Sequence, residues 1–150
     1  MNTGRRIFAL LIAAVVLALP LQAGAQRAQT VTVYKSPTCG CCGEWVKHLQ
    51  SNGFKVKAHD VADLDPIKQK LGVRPELASC HTATVGGYTI EGHVPAADIK
   101  RLLAERPKKA KGLAVPGMPI GSPGMETGPP QPYATLLFDE EGGTRVFARH

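Results

Sequence analysis

Alternating β-branched and aromatic positions begin at "TVTVY", residues 30 to 34, and predict a strand ended by Ser36 and Pro37. In "GEWVKHLQSNG" the period changes: Trp45, Val46 and Leu49 recur at helical spacing and Gly53 marks the stop. "FKVKAHDV" alternates again and predicts a second strand, and residues 62 to 71, "ADLDPIKQKL", predict a short helix closed by Gly72. Two strand-like runs in "SCHTATVGGYTI" meet at Gly86 and Gly87, a hairpin signal because paired glycines accept the positive φ angles of tight turns. "PAADIKRLLAER" then sets Ile99, Leu102 and Leu103 on one helical face behind Pro95. Residues 107 to 132 are rich in glycine and proline and are expected to form a loop, and "YATLLF" and "TRVFA" make a last hairpin across Gly142 and Gly143.

Ahead of the first strand, Arg5 and Arg6 precede the apolar run "IFALLIAAVVLALPL", which closes on Ala23, Gly24 and Ala25. Residues 1–25 are expected to be a secretory signal peptide cut after Ala25, since the run is shorter than the ~20 residues that span a bilayer and a small-residue site follows it. Residues 26–150 then make one small domain with a modest core. The formal charge of +6 falls by the two leader arginines to +4, and the remaining basic residues are dispersed apart from "KKAK" at 108–111. No basic stripe is present of the kind that tracks a nucleic acid.

The four cysteines, Cys39, Cys41, Cys42 and Cys80, all follow the leader, in a chain expected to meet an oxidising compartment. Two structural disulfides are the plainest reading. The spacing argues against it, because neighbouring Cys41 and Cys42 bond to each other only with strain and a scaffold needs links between distant segments. Strand, cysteine loop and helix, followed by a hairpin and a final helix, resemble the thioredoxin-like fold, an α/β architecture with a central mixed sheet flanked by helices. Cys39 and Cys42 are spaced as its C-x-x-C, the catalytic pair of a thiol oxidoreductase, and a helix N-terminus favours the thiolate of the first. In such folds the loop entering the hairpin lies against the C-x-x-C and carries a cis-proline. The corresponding loop here is "ASCHT", so by analogy Cys80 and His81 face the other three sulfurs.

A dithiol oxidoreductase has no use for two further thiols that scramble its disulfide, whereas four convergent thiolates suit a soft metal: Cu(I), Zn(II) or an iron–sulfur cluster. Adjacent Cys41 and Cys42 are awkward on one tetrahedral zinc, a difficulty that sulfurs bridging several Cu(I) ions relieve. Copper is therefore favoured over zinc, although ligand softness admits both. Met118 and Met125, in "PGMP" and "SPGME", offer thioethers for Cu(I), with the filling of hydrophobic gaps as the alternative role. His81 is the best imidazole candidate. His93 is second, balanced against a backbone hydrogen bond that orders its loop, while His48 and His59 are expected on solvated faces and Trp45 and Tyr88 in the core.

Together, "YKSPTCGCCGEWVKHLQSNGF", "SCHTATVGGYTIEGHVPAADI" and "GLAVPGMPIGSPGME" are similar to a periplasmic metal-binding family once catalogued as a domain of unknown function, the CopG-like copper-resistance family. The resemblance spans nearly all of residues 31 to 147. It implies a thioredoxin-like domain in the periplasm, copper tolerance, and a cysteine-bridged cluster of several Cu(I) ions held by Cys39, Cys41, Cys42 and Cys80. Thiol redox chemistry that interconverts Cu(I) and Cu(II) is a further expectation. The expected partners are copper ions and other periplasmic copper-handling proteins, with no nucleic acid and no membrane once the leader is cut. A protein thiol–disulfide oxidoreductase and a structural zinc module are the rival readings.

Overall fold

A computed structural model describes residues 29–150, so the expected signal peptide lies outside the described residues. The elements run β1 (Thr30–Lys35), α1 (Gly40–Ser51), β2 (Lys55–Asp60), α2 (Asp65–Lys70), a single 3-10 turn (Pro75–Leu77), β3 (His81–Val85), β4 (Tyr88–Glu91), α3 (Ala96–Glu105), β5 (Ala110–Ala114), β6 (Ala134–Asp139) and β7 (Thr144–Arg149). All strands join one seven-stranded mixed sheet in the order β2-β1-β3-β4-β5-β6-β7. The pairs β1/β2 and β4/β5 are parallel and the remaining neighbours antiparallel.

Period decides what each element buries. In β1, Val31 and Val33 point into the core, alternating with Thr30, Thr32 and Tyr34, and in α1 Cys42, Trp45 and Leu49 form the buried stripe. α3 adds Ile99 and Leu102, and the sheet adds Ala83, Val85, Ile90 and Leu113 to the same cluster. Each large apolar side chain removed from water in this way stabilises the fold by roughly 1.5–3 kcal/mol. A second cluster gathers Val73, Leu77, Ala114 and Phe138. Gly53 leaves α1 with φ +88°, and the β3–β4 hairpin turns through Gly86 and Gly87, both at positive φ, as their pairing predicts. Among the described residues no helix is long and apolar enough to cross a membrane.

Two boundaries differ from the sequence reading, and one agrees with it. β5 lies inside the stretch expected to be a loop, because Gly112 serves a close approach and not a turn: a Cβ there would collide with the Thr89 carbonyl of β4. The irregular stretch therefore shrinks to the connection between β5 and β6. α2 covers only Asp65–Lys70 of the helix expected over 62–71, with Pro66 in its first turn. α1 begins at Gly40 with Cys39 as its N-cap, so the cysteine motif stands at the helix start, where the sequence reading put it.

Candidate metal centre

The chain leaves β1 in a tight turn in which the Cys39 N–H donates to the Ser36 carbonyl at 3.2 Å. Cys39 is the N-cap of α1, and its carbonyl accepts the Gly43 N–H at 3.3 Å. Cys41 and Cys42 thereby occupy the first helical turn, with Cys42 buried in the interface with the sheet.

Cys80 reaches the same place from the other side, at the start of β3. A buried polar network holds the loop before it: the Ser79 N–H donates to Glu91 Oε1 at 2.7 Å and the Thr82 hydroxyl to Glu91 Oε2 at 2.6 Å. Lys68 on α2 pairs with Glu91 and donates to Thr82 Oγ1 at 2.9 Å. Burial pushes the Glu91 carboxyl above its ordinary range, and the Lys68 ammonium opposes that shift. Neither Glu91 nor Lys68 was expected to matter, because β4 is covered on both faces and no alternation marks a special position. The available signal was the lone acid in "GGYTIEGH".

These elements bring together the four cysteines expected to converge: their sulfurs all lie within 4.8 Å of one another. Cys39 and Cys42 are joined in a disulfide, and Cys41 and Cys80 are free thiols. Cys41 Sγ stands 3.5 Å from Cys39 Sγ and 3.9 Å from Cys80 Sγ, and Cys80 Sγ stands 3.4 Å from Cys42 Sγ. Burial, then the neighbouring Cys41, push the Cys80 thiol up to about 12, so without a metal it keeps its proton.

Two imidazoles close on Cys80. His93 Nδ1 donates to the Pro123 carbonyl at 2.8 Å, which leaves Nε2 bare and directed at Cys80 Sγ, 3.0 Å away. Of the two roles weighed for His93 in the sequence, the loop-ordering backbone hydrogen bond is present, and it leaves the other ring nitrogen facing Cys80. His81 presents Nδ1 to Cys80 Sγ at 3.4 Å, and its ring is fully buried against Trp45 and edge-on to His93, with centroids 4.3 and 4.9 Å apart. Its other nitrogen, Nε2, is buried and makes no well-formed hydrogen bond. Burial lowers the basicity of both rings, His81 the more strongly, so both are neutral donors of the kind a metal takes. Thiols and neutral imidazoles in this arrangement fit a soft or borderline cation.

The β5–β6 connection closes over the site. Ser79 Oγ donates to the Gly117 carbonyl, and the Gly117 N–H donates to the Ala78 carbonyl at 3.1 Å. Met118 follows, 51% exposed, beside the Cys80 loop with much of its side chain in solvent. Gly124, at φ +87°, lies so near the first turn of α1 that a Cβ would stand 2.7 Å from the Cys41 carbonyl oxygen and 2.8 Å from the Trp45 nitrogen. Met125 is half-buried, its N–H donating to the Ser122 carbonyl at 2.8 Å. His48 departs from its expected solvated face: it is half-buried, and its Nε2 accepts the Ala96 N–H at 3.1 Å. His59 remains exposed, stacked on Tyr34, and Trp45 is core as expected.

Residues 77–125, which contain Cys80, both buried imidazoles and the covering loop, match the family described as "Protein of unknown function, DUF411". No match is found among the curated proteins. Two solved structures of the copper resistance protein CopG, form 2 and form 1, superpose with TM-scores of 0.78 and 0.77. Each is 44% identical in sequence and covers 82% of this chain and 98% of its own. The chain therefore belongs to the CopG copper-resistance family.

Proposed function

We propose that this protein handles copper in the bacterial periplasm, holding several Cu(I) ions in a cluster bridged by Cys39, Cys41, Cys42 and Cys80. The observation that carries the reading is the convergence of four cysteine sulfurs within 4.8 Å of one another. Thiolates are the softest donors a protein offers, and bridging lets adjacent Cys41 and Cys42 serve different ions. Membership of a copper-resistance family supports copper over zinc. His81 is a nitrogen donor beside Cys80, and Met118 and Met125 are thioethers in the loop that covers the site, suited to ions arriving or leaving.

The same sulfurs supply electrons. Two thiols, Cys39 and Cys42, reduce two Cu(II) to two Cu(I), form the disulfide and release two protons, and the reverse reaction reoxidises the metal. We read β1 to α3 as a thioredoxin-like unit, a reading supported by the β2-β1-β3-β4 order and by the C-x-x-C on the first turn of α1. Export rests on the apolar leader at 1–25, and copper ions and other periplasmic copper-handling proteins are the partners that follow.

Copper and thiol content of the fully reduced protein after anaerobic Cu(I) loading tests the cluster. Several coppers per chain with all four thiols protected is the expected result, and Cys80→Ser should lose most of that copper. A single weakly held ion would sink the reading. The Cys39–Cys42 disulfide favours one alternative, a thiol–disulfide oxidoreductase, for which Cys80→Ser should retain insulin reduction.

A further inference from the structure

In the disulfide form two of the four thiols are consumed, so the sulfur set proposed for Cu(I) is incomplete. A different donor set stays whole: Cys80 Sγ, one nitrogen of His81 and one of His93 lie within 4.8 Å of one another. We infer that Cys80, His81 and His93 form a second, nitrogen-rich site that takes a divalent cation of borderline softness when Cys39 and Cys42 are disulfide-bonded. The choice of Cu(II) as its biological ion rests on the copper reading above, whereas the site itself does not.

Three observations support it. The first is spacing. With metal–sulfur bonds near 2.3 Å and metal–nitrogen bonds near 2.0–2.1 Å, a tetrahedral ion separates sulfur and nitrogen ligands by about 3.5 Å. His81 Nδ1 and His93 Nε2 stand 3.4 and 3.0 Å from Cys80 Sγ, so small adjustments seat an ion among them. The second is outer-sphere support. The Pro123 carbonyl fixes His93 with its proton on Nδ1, the arrangement usual for a metal-bound histidine, at a position 30 residues away on the covering loop. The third is surroundings: both rings are fully buried, which removes competition from water.

Two imidazoles and one thiolate also select differently from four thiolates. Imidazole suits Cu(II), Zn(II) and Co(II), and a trigonal set of two histidines and one cysteine is a recognised cupric geometry, while all-sulfur sites prefer Cu(I). Binding is a coordination step alone: Cys80 gives its proton to solvent, its sulfur bonds the ion, and no electron moves. Closing the Cys39–Cys42 disulfide therefore exchanges a soft site for a borderline one with Cys80 common to both.

Co(II), which thiols do not reduce, is the probe. Added anaerobically to the disulfide form, it should bind one ion per chain with a sulfur-to-cobalt charge-transfer band and the ligand-field bands of tetrahedral cobalt. Proton NMR of that complex should show two exchangeable, hyperfine-shifted imidazole N–H signals, the His93 one slow to exchange because of Pro123. His93→Gln should lower the affinity at least tenfold and remove one signal, while Cys41→Ser should retain both bands. Absence of shifted imidazole protons in the unmutated protein overturns the inference whether or not His93→Gln folds, as does loss of the charge-transfer band in Cys41→Ser, which would put the ion between the two free thiols. If the reduced protein fails to load Cu(I) while the disulfide form gives these cobalt signals, the cluster reading fails and this site stands. The reverse pair of results sinks this site alone.

Discussion

The carboxylate of Glu91 accepts the backbone N–H of Ser79 at 2.7 Å, one residue before the cysteine that completes the site. Its other partners are Lys68 on α2 and Thr82 on β3, so a buried charge anchors the Cys80 loop to three elements at once. Removing one member of a buried pair leaves the other uncompensated. Lys68→Met should cost about 3–5 kcal/mol in urea unfolding, and it should also lower Cu(I) stoichiometry, because Glu91 is then drawn from Ser79. Full stability in that variant would show that the network does not hold the loop.

The close approach of Gly124 to α1 gives a second prediction. An alanine there must adopt φ near +87° and place a methyl against backbone atoms of Cys41 and Trp45, which cannot step aside as a flexible side chain can. Gly124→Ala is expected to destabilise by about 2–4 kcal/mol, the sum of strain and overpacking, as read by chemical denaturation. Gly40, which has open space around it, should accept alanine with little change.

Acid should weaken the fold through His48. Burial holds this imidazole below its ordinary 6.5, Lys100 acts in the same direction, and Glu126 opposes. Between the folded value and 6.5 the unfolded chain binds more protons than the folded one, so stability rises with pH across that window and is lost on acidification. The urea midpoint should fall between about pH 7.5 and 5.5. His48→Gln should flatten the slope without abolishing it, because His81 and His93 are shifted the same way. An unchanged slope would remove His48 from the account.

Cys39 separates the two parts of the proposed chemistry. Cys39→Ser removes the disulfide partner of Cys42 and one of the four sulfurs, so copper per chain should fall and reduction of Cu(II) should cease, while the core around Trp45 and Leu49 keeps the fold. Elemental analysis and a Cu(I)-specific chelator measure both. Undiminished copper would count against the cluster.

Much of this was legible in the chain itself. Spacing alone put three cysteines at a helix start, and the "ASCHT" loop, read against the thioredoxin-like pattern, brought Cys80 to them. Paired glycines announced the β3–β4 turn because their chemistry is local. What stayed hidden depends on distant partners. β5 was concealed because Gly112, a turn residue by composition, is a contact residue against Thr89. His48 looked solvated because its partner, the Ala96 N–H, lies 48 residues along, and the importance of Glu91 lies in a lysine on another helix.

The position of Pro123 and Gly124 in the last third of the chain sets an order of assembly. A polypeptide that emerges from its N-terminus exposes all four cysteines by residue 80, before the segment that orients His93 and covers α1 has followed. A nascent chain that met copper at that moment would offer thiols still free to pair wrongly. The covered site is thus complete only once residues 116–125 lie against α1 and Ser79.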